Sequence, residues 1–324
     1  MSVLAGLARV KNEADVIEAF VRHHVALLDR VVVVDNASTD GTRQILAALV
    51  AEGLPLTVLD DATIGYHQSE LMTYLTRACC VSLDCDRVFL LDADELLGAR
   101  SRAELDAALT LIPYESHALL AWRTYVPTAC DDAAEPEAFR RIVHRRIAEP
   151  LPTSKVAVSR TILRRPDAIV IQGNHAVGSR SPDCSSAALT GVFIRHFPVR
   201  SVAQLKLKVL AGWNAYLAMG YEFAGLGYQW RELYERIYSG RTFSQADLYA
   251  HAAAYQTPQP LDQPPDVVVD AFEVPAVQYS ALRVVDPDVV AARLLEQSSR
   301  TLAVAASDAA RAVRSLHAIS ITVG

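Results

Sequence analysis

The stretch VFLLDADELL, from Val88 to Leu97, runs four apolar residues into three acids, Asp92, Asp94 and Glu95. Three carboxylates this close repel one another and require a cation, a set of hydrogen-bond donors or water. Asp92 and Asp94 form a D-x-D element at the end of a strand-like run. Hard oxygen ligands of this kind suit Mg²⁺ or Mn²⁺, which keep several waters and share their coordination with a substrate diphosphate. A metal held there would neutralise charge on a leaving phosphate. A solvated acidic loop has the same letters, so placement in the fold must decide.

Other residues have types that fit the same chemistry. Asp35 ends RVVVVD, and an acid after a buried strand can accept an imide N–H. His175 follows a Gly-Asn pair, and His196 lies near the end of VFIRHF. Strand alternation points Ile194 and His196 to one side. A neutral imidazole there would supply a third metal ligand beside Asp92 and Asp94 without adding negative charge. Lys155 and Arg160, in SKVAVSR, are cations for a diphosphate, although such side chains on strands are otherwise mostly solvated.

These residues need a scaffold. VLAGLARV reads as a first strand rather than a secretory leader, since no basic region precedes it. Asn12 is placed to cap the following helix, whose apolar positions Val16, Ile17, Phe20, Val21 and Val25 share one face. Four consecutive valines, Val31 to Val34, suit a strand covered on both faces, as in a parallel sheet. NASTDGT is a polar turn in which Asp40 shapes the loop. A helix closed by Gly53, the strand LTVLD, a helix over residues 68–82 and RVFLLD follow, and Ser101 with Glu104 reads as a capping box. This alternation predicts an α/β fold with a doubly wound, mainly parallel sheet flanked by helices, whose ligands sit outside the carboxyl ends of the strands. Asp35, Asp92 and the loop Asn36–Thr42 all fall at that edge.

From His117 to Phe197 the pattern changes to shorter strands: HALLAWRTYV, RRIVHRR, KVAVSRTI, AIVIQG and VFIRHF. Helical patterns return at residues 201–219, 244–255 and from Asp288 onward, with a Pro-rich linker at about 256–266. The expected division is a catalytic domain over 1–200 and a helical C-terminal extension and arm over 201–324, whose Ala-rich end is suited to pack on the core or on a second copy as a homodimer.

Composition narrows the function. The chain has 324 residues, 51% hydrophobic and 21% charged, with net charge −6. That suits a globular protein and excludes a general nucleic-acid binder. No apolar run reaches the ~18 residues of a transmembrane helix. Five cysteines without a CxxC pair argue for reduced thiols and a cytoplasmic location.

ARVKNEADVIEAFVRHH, VVVVDNASTDGT and VFLLDADELL together resemble the three N-terminal motifs of family 2-type glycosyltransferases. The resemblance is to the subgroup with a K-N-E first motif and a D-A-D-E metal motif. QGNHAV and IRHFPVRSVAQLKLKV extend the likeness, which covers about residues 3–213. It implies a GT-A fold, a nucleotide-sugar donor (UDP favoured), a divalent metal (Mn²⁺ or Mg²⁺) and inversion at the anomeric carbon. Carried onto this chain, it places Arg9, Lys11 and Glu13 against the nucleotide and Asp35 on the base. Gln68 falls on the base or ribose, Asp92 on the ribose or a metal water, and Asp94 on the metal. Arg77, on the same helix as Gln68, reads equally as a surface cation, and His23 and His24 read as structural.

The chain departs from the pattern in one respect. Classical members carry a Glu-Asp pair whose acid is the catalytic base. Here the only such neighbouring acids between the D-x-D and residue 200 are Asp131 and Asp132, in a loop. An inverting transfer needs a base near the acceptor hydroxyl, and Glu95, His175 and Asp183 are the candidates. Glycan, lipid-linked, protein and small-molecule acceptors all fit this pattern. Two other readings keep the acids: a nucleotide-sugar-binding protein without transferase activity, and a D-x-D metal-dependent phosphoryl-transfer enzyme. The haloacid-dehalogenase type puts its aspartates after the first strand, not the fourth. A nucleotidyltransferase needs a glycine-rich loop after strand one, and a dinucleotide oxidoreductase needs G-x-G-x-x-G; both are absent.

Overall fold

The computed structural model describes residues 2–63, 68–179, 184–218, 228–255, 266–283 and 286–300. Nearly all of the expected Pro-rich linker lies outside them. The chain begins with β1 (Leu4–Val10), α1 (Ile17–Val25), β2 (Arg30–Asp35), α2 (Thr42–Ala51), β3 (Leu56–Asp60), α3 (Gln68–Ser82), β4 (Arg87–Leu91) and β5 (Glu95–Leu97). It continues with α4 (Arg102–Thr110), β6 (Ser116–Thr124), α5 (Ala138–Arg141), β7 (His144–Arg146), β8 (Ser154–Ser159), α6 (Arg160–Leu163), β9 (Ile169–Val170), β10 (Val177–Gly178), β11 (Ser185–Ala188) and β12 (Ile194–His196). Then come α7 (Val202–Leu217), α8 (Tyr228–Tyr238), α9 (Gln245–Ala253) and β13 (Val267–Val269).

The fold is mixed α/β, with a largely parallel sheet flanked by helices. Strand order in the main sheet is β3-β2-β1-β4-β8-β6-β12-β5, with β11 beside β6. Strands β1 to β4 pair in parallel, and β8 runs antiparallel between β4 and β6. Alternation divides the side chains between two cores. Val31, Val33, Phe89 and Leu91 pack with Ile17, Phe20, Ile45 and Leu46 from α1 and α2. Val32, Val34, Val88 and Leu90 pack on the other face with Met72 and Leu75 from α3. Helices on both faces of a parallel sheet explain why the valine run does not alternate with polar residues.

Some boundaries differ from the sequence reading. Helix α1 starts at Ile17, with Val16 at its cap and no side-chain cap. Asn12 instead adopts φ +57° and uses its amide oxygen on the Thr39 N–H (2.8 Å), so it stitches two loops together rather than capping. RRIVHRR is not one strand: Arg140 and Arg141 end the short α5, and only His144–Arg146 pairs, with β13. KVAVSRTI turns helical at Arg160, where the Ser159 hydroxyl caps α6. Ser101 does accept the Glu104 N–H, but the Glu104 carboxylate reaches back to Arg100 N–H rather than to Ser101.

The chain divides into two compact units. The first holds Met1–Ala62, His67–Val202 and Phe243–Val285, so the expected single division at residue 200 gives way to an interleaved one. The second comprises the described parts of Thr63–Tyr66, Ala203–Thr242 and Asp286–Gly324. Within it, Asn214 Nδ2 donates to the Leu294 carbonyl (2.8 Å), and Lys206 pairs with Asp288 (2.7 Å), tying α7 to the helical stretch 287–300. Among the described residues no helix is long and apolar enough to cross a membrane.

Candidate active site at the carboxyl edge of the sheet

The parallel strands deliver polar residues to one edge. Register sets Val10 beside Asp35 and Asp35 beside Asp60. The K-N-E turn after β1 is sewn to the loop after β2. Asn12 N–H donates to Ser38 Oγ (2.9 Å), Glu13 N–H to Thr42 Oγ1 (2.9 Å) and Ala14 N–H to Asp40 Oδ2 (3.0 Å). Asp40 Oδ1 also accepts from the Thr42 backbone and hydroxyl, and burial raises its pKa. Asp40 is thus a loop-shaping residue.

Asp35 is 1% exposed. Its Oδ2 accepts the Ser38 N–H at 3.2 Å and lies 3.7 Å from Arg43 Nε, while its Oδ1 has no partner among the described residues. A buried carboxylate oxygen without a donor is costly and calls for an explanation. Around it, Arg9 Nε binds Asp61 (2.8 Å) and Lys11 Nζ binds the Asn36 carbonyl (2.8 Å). Burial, then repulsion from Arg9, lowers the Lys11 pKa.

The acid turn is built differently. Glu95 N–H donates to the Asp92 carbonyl (3.1 Å), and Asp92 N–H to Glu95 Oε2 (2.9 Å). Glu95 is fully buried, and burial pushes its pKa well above the usual carboxylate range, with Lys155 opposing. Lys155 comes from β8. Its Nζ donates to Asp92 Oδ2 (2.6 Å) and the Gly173 carbonyl (2.9 Å), and lies 3.6 Å from Glu95. Burial alone would lower the Lys155 pKa, but Asp92 and Glu95 outweigh it and hold the ammonium charged. Lys155 is therefore spent on the acids rather than held out towards a ligand.

Asp94, 4% exposed, has a second buried cation beside it. Arg200 Nη1 lies 3.7 Å from Asp94 Oδ2, while Arg200 binds Asp15 (2.7 Å) and Glu13 (2.5 Å) through Nε and Nη2. Burial opposes the charge, yet Asp15 and Glu13 keep the Arg200 pKa raised. Glu13, expected to face the nucleotide, thus also links the K-N-E turn to the acid turn through Arg200. The sequence reading did not single out Arg200. Its only local signal was a basic residue just before a helix start.

His196 and Glu95 sit opposite each other across β12 and β5. The His196 ring is stacked on Trp122, with centroids 3.9 Å apart, and the His175 ring meets Trp122 edge-on at 5.3 Å. Trp122 Nε1 is buried without a partner among the described residues. His175 Nδ1–H donates to the Ser154 carbonyl (2.8 Å), which leaves Nε2 as a proton acceptor in the neutral ring. Burial, then Lys155, lowers its pKa from the ordinary value. Gly173, at φ +80°, lets this ring approach; a Cβ there would come within 2.5 Å of it. Gln68 holds the same turn by accepting the Gly173 N–H (3.1 Å).

Among the described residues, no three His, Cys, Asp or Glu side chains form a ready metal cage. The expected trio of Asp92, Asp94 and His196 is not preassembled, because Asp92 is turned to Lys155 and the His196 ring lies flat on Trp122. Two carboxylates at a turn still fit a hard divalent ion whose remaining ligands come from phosphate and water. Asp183 lies outside the described residues. Arg160 points away, to the Cys85 carbonyl and Asp84, and Arg77 is committed to the carbonyls of Arg165, Pro166 and Ala168. His23 and His24 clamp Leu97: His23 Nε2–H donates to its carbonyl (2.8 Å), and His24 Nε2 accepts its N–H (3.3 Å).

A mixed α/β fold with acids gathered at the carboxyl edge of its parallel strands is the class these features define. Residues 9–99 match the model of glycosyl transferase family 2. No curated protein matches the chain. The mannosyltransferase PcManGT from Pyrobaculum calidifontis, in complex with GDP-Man and Mn²⁺, is similar at 16% identity over 99% of this chain and 81% of that one, with a TM-score of 0.41. S. aureus TarS is similar at 12% identity over 68% of this chain, with a TM-score of 0.38, and the match spans 44% of that chain's length. The 1–349 portion of the same protein gives 13% identity over 77% and 80% of the two chains, with a TM-score of 0.39.

Proposed function

We propose that this protein is a metal-dependent glycosyltransferase that moves a sugar from a nucleotide-diphosphate donor, UDP favoured, to a hydroxyl acceptor with inversion. The observation that carries the reading is Asp35 Oδ1, a buried acceptor without a donor, at the same sheet edge as the Asp92–Asp94 turn. The family match over residues 9–99 supports it.

In this reading Asp35 accepts an N–H of the base, and the loop from Asn36 to Thr42, fixed by Asn12, lines the nucleotide. Asp94, with Asp92 directly or through water, holds the divalent ion. That ion, when bound, supplies positive charge to the leaving diphosphate. Lys155 and Arg200 balance the charge of the acids and orient them, so the turn does not have to be assembled at each cycle. His196 lies within the same cluster as a candidate further ligand, reached by a change in its stacking on Trp122.

His175 is the base we favour. It is half-buried, neutral at physiological pH and has its Nε2 lone pair available, whereas Glu95 is sealed under the turn. Taking the acceptor's proton at Nε2 would leave Nδ1–H on the Ser154 carbonyl to hold the ring. The test of the whole reading is a thermal-shift panel of UDP, GDP, dTDP and CMP with and without Mn²⁺. Stabilisation by a nucleoside diphosphate that grows with Mn²⁺ is expected. No nucleotide raising the melting temperature under either condition would overturn it.

A further inference from the structure

The segment from Asp270 to Arg283 follows β13 and joins no sheet; its only regular piece is a 3-10 turn at Ser280–Arg283. Yet it is tied down at intervals along its length. Asp270 N–H donates to the Val143 carbonyl (2.8 Å), and the Asp270 carbonyl accepts the Tyr125 hydroxyl (3.0 Å). The Pro275 carbonyl accepts from Arg140 Nη2 (2.7 Å). Val274 is buried, and Phe272, Val277 and Tyr279 pack against the core that also receives α1 and α2. At the far end Arg283 Nη2 binds the buried Glu137 carboxylate (2.6 Å).

The central anchor is Glu18, in the first turn of α1 and 0% exposed. Its Oε1 accepts the Gln278 N–H (2.7 Å) and its Oε2 the Tyr279 N–H (2.8 Å), while Arg22 Nε completes Oε1 at 2.9 Å. Backbone N–H groups outside a sheet or helix must find other acceptors, and here one carboxylate takes two in succession. A carboxylate this deeply buried is costly unless its bonds are made. Helix α1 and the segment therefore complete each other.

The segment ends against the loop after β2. Gly41, the N-cap of α2, has φ +106°, and a Cβ there would collide with the Leu282 carbonyl oxygen. The adjacent Asp40 holds the Ala14 N–H of the K-N-E turn (3.0 Å). Leu282 thus abuts the point where the two loops are sewn together.

We propose that Asp270–Arg283 is a strap that positions the loop Asn36–Thr42, with Glu18 as its clasp. Nucleotide affinity then depends on a segment far outside residues 9–99. That consequence rests on the nucleotide-binding reading above, whereas the hold on the loop does not.

The test is hydrogen exchange of the full chain without ligand, comparing wild type with Glu18→Gln. The substitution keeps the volume but turns one acceptor into a donor facing a strap N–H, and Arg22 keeps its two bonds to Glu52. In wild type the amides of Asn36, Ser38, Thr39 and Thr42 are hydrogen-bonded, so they report on the loop. They should exchange about ten-fold faster in Glu18→Gln, while α3, on the other face of the sheet, keeps its protection. UDP affinity with Mn²⁺, measured well below the melting temperature, should fall by a similar factor, which a loss of global stability alone would not produce. If Glu18→Gln does not fold, the double variant Arg283→Met, Glu137→Gln frees the strap's end without leaving a buried charge, and the same readouts apply. Unchanged exchange at residues 36–42 in a folded variant, or unchanged UDP affinity where wild type binds UDP, would overturn the proposal. Faster loop exchange in a protein whose wild type binds no nucleotide would uphold the strap and reject the nucleotide reading.

Discussion

Asp35 and Asp92 follow or end strands on either side of β1, at the same edge of one sheet, yet their electrostatics are opposite. Asp35 is held by its own loop, through a backbone N–H three residues on, and keeps one oxygen open. The Asp92–Glu95 turn is held by cations from far along the chain, Lys155 from β8 and Arg200 from beyond β12. The first is a locally made acceptor waiting for a donor. The second is a concentration of negative charge that the fold has already balanced. A neutral base suits the first arrangement, and a divalent ion with a diphosphate suits the second.

The largest expected effect comes from unbalancing the second region. Lys155→Met leaves Glu95 buried and Asp92 without its partner, and removing one member of a buried pair costs about 3–5 kcal/mol. Urea denaturation should read this loss. It should be smaller at acid pH, where the buried Glu95 carboxyl takes up a proton, because its folded pKa is raised. An equally stable variant at neutral pH would mean that the lysine is dispensable to the turn.

Chemistry beside that turn comes next. A general base contributes roughly 10²–10⁴-fold, so His175→Ala should lower kcat by that order while KM for the donor changes little. The base must be neutral to act, and its folded pKa is lowered, so the acid limb of the wild-type rate profile should fall below the ordinary histidine value of 6.5. An unchanged acid limb in His175→Ala would transfer the role to another group.

The first region should respond more mildly. Losing a hydrogen bond to a charged acceptor costs about 1.5–3 kcal/mol, so Asp35→Ala should weaken nucleotide binding about ten-fold or more. The loss should be the same with and without Mn²⁺. A loss confined to the metal-loaded protein would move Asp35 out of the base site.

The contrast also explains what the sequence could disclose. The four parallel strands, their helices and the edge carrying Asp35 and Asp92 were legible, because strand and helix periodicity are local signals and the valine run demands two covered faces. Helix α3 began and ended as read, at Gln68 and Ser82. The partners of the acids were not legible. Nothing local about Lys155 distinguishes a solvated strand lysine from one buried under two carboxylates, and Arg200 meets Glu13 only after the chain has crossed the sheet. The misread cap at Asn12 has the same cause, since its side chain is used by Thr39 in another loop. RRIVHRR failed as a strand because β13, which pairs only its last three residues, lies more than a hundred positions away.

The central claim is that the acid turn holds a divalent ion that a nucleoside diphosphate shares. Calorimetric titration of UDP into wild type and Asp94→Asn, each with and without Mn²⁺, tests it most directly. Wild type should bind UDP more tightly with Mn²⁺, while Asp94→Asn, folded by circular dichroism, should bind with one weak affinity in both conditions. Mn²⁺-enhanced UDP binding that persists in Asp94→Asn would contradict the account.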